Sequence, residues 1–368
     1  MPDPNKIETK HLSIDWKIGV EVELLAPKGM SRFDLATAIA REYEGEVRRF
    51  FHPQVEPSKV SGTPLFNNLT LGFEVLDKTG NTIAYCVDDL TLQDDFDKSH
   101  PPREGWYRVV SDESRLLQLL LQQCNPVNPL NSVLEPIATL FGTELEIGQG
   151  NMFRVADSTG ASIAIAAPLP GERERPCELI IPPIDNDHYQ KIESLLHIAR
   201  SLDFTAPTEG ATHIHFDANA LESTTTLANL MRFLWKYDEN LVELLKTNPN
   251  CRRLGKWSKE LYYWMQDPEF IALPWEHALH SLAEFEITKY CNFNLKNLLL
   301  QKQDKYTFEV RILPVYQHAQ EILAAAGLFE GILNWAIQTP LTSELPNNFD
   351  EIVEKLPLST EIHNIWNN

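Results

Sequence analysis

Three segments far apart in the chain place ionisable side chains at every second position: GVEVELL (Gly19–Leu25), THIHFD (Thr212–Asp217) and TFEVRIL (Thr307–Leu313). A period of two is the period of a β-strand, so each segment has one apolar face and one ionisable face. Val20, Val22 and Leu24 oppose Glu21 and Glu23; Ile214 and Phe216 oppose His213 and His215; Val310 and Ile312 oppose Glu309 and Arg311. One such strand is the ordinary wet face of an antiparallel sheet. Three that share a sheet would bury their apolar faces together and gather carboxylates, imidazoles and a guanidinium on one surface.

The chain has 368 residues, 43% of them hydrophobic, enough for a large core in one big domain or two ordinary ones. Its formal charge of −20 repels polyanions, which sets nucleic acid and anionic membranes aside as main partners. A nucleotide held through divalent cations stays compatible with that charge, because the cations reverse the local balance. The five cysteines (Cys86, Cys124, Cys177, Cys251 and Cys291) are scattered and form no C-x-x-C pair, so they read as reduced thiols. No apolar h-region opens the sequence and no apolar run reaches about 18 residues, so a cytoplasmic protein is expected.

Along the chain, SRFDLATAIAREYEG reads as a helix capped by Ser31 and Asp34 and stopped at Gly45. The stretch from Glu46 to about Asn68 reads as loop, followed by a hairpin, LGFEVLDKTGNTIAYCV. FEVLDKTGNTIA and FRVADSTGASIA match at seven places, either because two hairpins use the same turn chemistry or because one unit was duplicated. Helical patterns follow at SDESRLLQLLLQQC, DNDHYQKIESLLHIARSL, LESTTTLANLMRFLWKYDENLVELL, PWEHALHSLAEFEITKY and YQHAQEILAAAGLFEGILNWAIQ, with a polar tail after Pro340. Hairpins precede long helices, and eight regular βα units are absent. The expected fold is therefore α+β, a largely antiparallel sheet with helices packed on one face.

The ionisable faces carry a chemical expectation. Clustered carboxylates repel and their pKa values rise unless cations intervene. Carboxylate oxygens with one or two imidazoles suit magnesium or manganese, whereas structural zinc would call for thiolates. The fork of Arg311 fits phosphate or carboxylate, and metals, arginine and acids together are parts for phosphoryl transfer. Glu178, at the start of the strand ELIIPP, offers a further carboxylate, and Arg252–Arg253 in NCRRLGKW offers an anion clamp. Neither G-x-x-x-x-G-K-[ST] nor G-x-G-x-x-G occurs, so a nucleotide would have to be held by the sheet and its metals.

Taken in order, GVEVEL, CELIIPP, THIHFD, ITKYCNFNL and TFEVRIL resemble the amidoligase family of the glutamine synthetase-like carboxylate–amine ligase superfamily, over Gly19 to Leu313. The resemblance implies a curved antiparallel sheet of the glutamine synthetase-like catalytic type. It also implies a single catalytic domain over 1–368, with an inserted β-hairpin and helical subdomain at about 46–149. Carried over, Glu21, Glu23, Glu178, His213, His215 and Glu309 would be metal ligands, and Arg311 would contact phosphate. Arg311, Glu309 and Glu21 would then be catalytic, with Arg311, His215, Arg252 and Arg253 touching nucleotide or substrate. Ile181 replaces the serine of the family's S-P-P motif, and Asp112 and Asp157 compete for its D-x-S position, Asp157 being preferred for its distance to Glu178.

The implied activity is ATP- and magnesium- (or manganese-) dependent amide-bond formation through an acyl phosphate. The partners would be a small-molecule or peptide carboxylate and an amine, or a protein acceptor. Two other readings keep the same residues: a metal-dependent amidohydrolase, suggested by H-x-H, and a non-catalytic platform for a peptide or protein. His213 falls late in the chain and a Glu-x-Arg strand follows it, which disfavours the hydrolase. A platform has no need of clustered charge.

Overall fold

The structure, a computed structural model, describes residues 12–57, 65–111, 113–251, 254–302 and 305–366. Its strands are β1 (Ile18–Leu25), β2 (Glu46–Pro57), β3 (Leu65–Leu76), β4 (Thr82–Val87), β5 (Tyr107–Ser111), β6 (Glu146–Ile147), β7 (Phe153–Ala156), β8 (Ser162–Pro168), β9 (Pro176–Ile184), β10 (Thr212–Asp217), β11 (Phe293–Asn294) and β12 (Thr307–Leu313). Helices are interspersed and the ladders are antiparallel, so the fold is α+β, as the patterning predicts. Two compact units divide the chain. One consists of Met1–Val22, Pro182–His197 and Gly210–Asn368, the other of Glu23–Ile181 and Ile198–Glu209.

In the second unit, strands run in the order β9-β4-β3-β5-β8-β7-β6, with β2 paired to the remaining side of β3. Helix α1 (Arg32–Glu42) packs on β3 and β4; α2 (Ser114–Gln123) packs on β3 and β5, and α3 (Glu135–Phe141) on β7. The start of α1 follows the predicted cap, Asp34 Oδ2 accepting from both the N–H and the hydroxyl of Ser31 at 2.7 Å. Gly45 ends the turn for a steric reason: a Cβ there would lie 1.8 Å from the carbonyl oxygen of Leu76. The expected loop from Glu46 to Asn68 is instead mostly strand, β2 and the start of β3. Pro53 and Pro57 and the charges of β2 hide its period, and an edge strand tolerates them because one side of its backbone carries no ladder.

Both similar hairpins close through one turn. Asp77 Oδ1 accepts from the N–H of Thr79 (2.8 Å), its hydroxyl (2.7 Å) and the N–H of Asn81 (3.0 Å). Asp157 Oδ1 does the same for Thr159 (2.8 and 2.7 Å) and Ala161 (2.9 Å). Shared turn chemistry accounts for the matching Asp and Thr, while the matching Phe, Val, Ile and Ala lie on the strands. The core of this unit also holds ions: Arg32, wholly buried, donates to the carbonyls of Leu71 and Arg173 and lies 4.5 Å over the Trp106 ring. Asp88, equally buried, pairs with Arg173 at 3.0 Å and lies 3.8 Å from Arg32.

Helix α4 (His188–Ser201) crosses the division between the units. In the first unit the strand order is β11-β12-β10-β1. Its main helices are α5 (Thr224–Leu244), α6 (Lys259–Gln266), α7 (Pro268–Ile271), α8 (Trp275–Leu282), α9 (Lys296–Leu299) and α10 (Ala319–Gln338). Val20, Val22, Ile214, Phe216, Val310 and Ile312 are all fully buried, and Phe293 of β11 meets Phe329 of α10 at 5.9 Å between centroids. The pattern PWEHALHSLAEFEITKY is helical only to Leu282, because its buried stripe, Ala278, Leu279 and Leu282, does not continue. The polar tail after Pro340 is likewise folded, as α11 (Phe349–Lys355) and α12 (Thr360–Trp366). Sparse apolar anchors hold it: Ile362 and Leu358 sit against Gly327 and Gly331 of α10, whose missing side chains make the room. No described helix is long and apolar enough to cross a membrane.

Candidate active site

Register brings the three ionisable faces together. Glu21 of β1 stands opposite His213 of β10, His215 opposite Glu309 of β12, and Glu309 opposite Asn294 of β11. Gly19, opposite His215, places no side chain on that face. The face is enclosed: Glu21, His213, His215 and Glu309 are 7%, 5%, 4% and 4% exposed, so these are not wet-face residues.

Within the first unit the contacts are short. His213 Nδ1 lies 3.4 Å from Glu21 Oε2 and 3.7 Å from Glu309 Oε1. His215 Nε2 lies 3.2 Å from Glu21 Oε1 and 3.8 Å from Glu309 Oε1. That nitrogen is buried and lies within reach of two carboxylates, without a well-aligned hydrogen bond to either. The other ring nitrogen, Nδ1, is 3.2 Å from Thr307 Oγ1, which also accepts from Asn297 Nδ2 at 3.5 Å. Glu309 is held on both oxygens, by Arg311 Nη1 at 2.6 Å and Asn294 Nδ2 at 2.6 Å. The Asn294 amide is oriented in turn by the N–H of Lys296, which donates to its Oδ1 at 2.8 Å. Lys305 Nζ reaches Glu21 Oε1 at 2.7 Å.

These contacts decide the charges. Burial alone would raise the Glu21 pKa, but His215 and Lys305, with the bonds from His213 and His215, hold it well below the carboxylate range. Glu309 behaves alike: burial pushes up, His215, Arg311 and His213 pull down further, and the result is about 2. Burial, then Arg311, lowers the His213 pKa against the opposing pull of Glu309 and Glu21, which favours the neutral ring. Ligand atoms of Glu21, His215 and Glu309 lie within 4.8 Å of one another, a spacing that one cation can share. The buried His215 nitrogen and the two ionised carboxylates form an O,O,N donor set suited to magnesium or manganese.

The remaining sequence-derived candidates belong to the second unit or lie outside the described residues. Glu23 continues the Glu21 face of β1, buried, and belongs to the second unit. Glu178 of β9, also in that unit, stands half-buried opposite Val87. Asp157 occupies a hairpin tip with its carboxylate taken up by the turn. Asp112, Arg252 and Arg253 lie outside the described residues. The chain just beyond the two arginines is tied to the site strand: Asn292 exchanges bonds with Gly255 at 2.8 and 2.9 Å, and its carbonyl accepts from the Arg311 N–H at 3.0 Å.

Sequence reasoning assigned no role to Lys305, Thr307, Asn294 or Asn297. The signal for Thr307 was present, since Thr307, Glu309 and Arg311 share the parity of one strand face; Lys305 precedes the strand.

A family model described as "Putative amidoligase enzyme" matches residues 15–333 of the chain. No curated protein matches it.

Proposed function

The chain belongs to the amidoligase family, and from that premise we propose that it is an ATP-dependent carboxylate–amine ligase. Its cation would be magnesium or manganese, held by Glu21, His215 and Glu309. The observation that carries this reading is the convergence of the buried His215 Nε2 atom with two carboxylates kept ionised, their ligand atoms all within 4.8 Å of one another.

In this reading the bound cation neutralises charge on the nucleotide phosphates. The chain's residues do the rest. Arg311, anchored on Glu309, presents a guanidinium to the transferring phosphoryl group, whose oxygens carry the charge that must be stabilised. The substrate carboxylate attacks the γ-phosphorus, the bond to the β-γ bridging oxygen breaks, and ADP leaves with that electron pair. The amine then attacks the acyl phosphate carbon, phosphate leaves, and the proton lost from nitrogen passes to a base. His213, held neutral in the enclosed face, is suited to that role. Arg252 and Arg253 would bind nucleotide or substrate.

The test is ADP release by the full chain with pooled amino acids, short peptides and polyamines. ADP formed only when a carboxylate and an amine are both present supports the ligase. Amide cleavage without ATP contradicts it and selects the hydrolase.

A further inference from the structure

Each carboxylate of the cradle already carries a cation of the chain's own. Lys305 Nζ holds Glu21 Oε1 at 2.7 Å, and Arg311 Nη1 holds Glu309 Oε1 at 2.6 Å. Each of these two carboxylates is paired with a cation of the chain before any metal arrives. A divalent ion entering among Glu21, His215 and Glu309 competes with Lys305 for Glu21 Oε1, the oxygen that faces His215 Nε2 at 3.2 Å. Positive charge beside Glu21 and Glu309 then exceeds what their two carboxylates neutralise, which an interior of low effective dielectric penalises.

The two resident cations are not equivalent. The Arg311 side chain is 13% exposed and packed on its strand face, whereas the Lys305 side chain is 48% exposed. A lysine is a point charge on a flexible stem, able to leave one anion for another nearby with little reorganisation. The compensating anion on the proposed-function reading is the polyphosphate of the nucleotide.

We propose that Lys305 is a resident counter-ion that couples divalent-cation binding to polyphosphate binding: it occupies Glu21 in the metal-free protein, yields that oxygen to the cation, and turns to the phosphates. The inference rests on the cation-cradle reading above. Metal without nucleotide then meets a competitor and an uncompensated charge. Metal with nucleotide meets neither. By linkage, the factor by which nucleotide tightens metal equals the factor by which metal tightens nucleotide.

The experiment is titration of Mn2+, followed by the paramagnetic resonance of the free ion, into the full chain alone and with saturating adenylyl imidodiphosphate. Wild type, Lys305→Met, Lys305→Arg and Glu21→Gln are compared. In wild type the analogue should tighten Mn2+ by about tenfold or more, the low end for close charge pairs because Lys305 is half-exposed. Lys305→Met should bind Mn2+ alone about tenfold more tightly than wild type and gain less from the analogue, while Lys305→Arg, whose fork holds the carboxylate, should bind Mn2+ alone no more tightly than wild type. Equal Mn2+ affinity in wild type and Lys305→Met, with binding lost in Glu21→Gln, overturns the role of Lys305 and leaves the cradle standing. A Lys305→Met protein that binds Mn2+ more tightly yet keeps the full effect of the analogue overturns the coupling. Absence of saturable Mn2+ binding in every protein, with and without analogue, overturns the cradle itself.

Discussion

Asn294 and Glu309 face each other across the β11–β12 ladder, and the Asn294 amide donates to Glu309 Oε2 at 2.6 Å. Because the N–H of Lys296 fixes that amide through its oxygen, the donor cannot turn away without losing a second bond. Replacing Asn294 by leucine leaves a buried carboxylate oxygen without its donor. The expected loss of stability is about 1–3 kcal/mol, read from urea unfolding. An unchanged urea midpoint would contradict the arrangement.

Thr307 Oγ1 meets the Nδ1 side of His215, and that contact sets which way Nε2 faces. Thr307→Val preserves shape and removes the contact. Mn2+ affinity should fall about 10- to 100-fold while Thr307→Ser restores it. Equal affinity in the valine variant would mean that packing alone orients the ring.

The pKa of His213 in the fold lies below its ordinary value, so the unfolded chain takes up a proton first. This part of the stability is fully present above a pH of about 6.5 and is lost as pH falls through the lowered folded-state value. Glu309, held at about 2, adds a second window, its contribution being lost as pH falls from about 4 towards that value. Chelator-treated His213→Asn should therefore show a shallower decline in urea midpoint than wild type between pH about 6.5 and about 5. Parallel declines would remove His213 from this account.

Asp88 sits wholly buried between Arg173 and Arg32. Asp88→Asn leaves two guanidinium groups enclosed without their counter-ion, which should cost about 3–5 kcal/mol in urea unfolding. A loss below about 1 kcal/mol would show that backbone carbonyls alone satisfy the two arginines.

Strands β1, β10 and β12 were legible because ionisable residues on one face and apolar residues on the other make the period of two unmistakable. Pairing of Glu21 with His213 and of His215 with Glu309 was not, since register depends on bulges and neighbours. Strand β2 was hidden by its prolines and charges, which only its edge position permits. Arg32 gave no sign of burial, because a charged residue opening a helix normally faces water, and its partners Asp88 and Arg173 come from distant segments. Thr307 lies on the strand face one step of two before Glu309, whereas Lys305 precedes the strand, so no period marks it as facing Glu21.

The central claim is that the shared face of these strands holds a divalent cation for ATP. Its most direct test is calorimetric titration of adenylyl imidodiphosphate, with and without magnesium, into wild type and Glu309→Gln. Binding that needs magnesium in wild type and is lost in the folded variant is the predicted result. Magnesium-independent binding of equal strength in both proteins would contradict it.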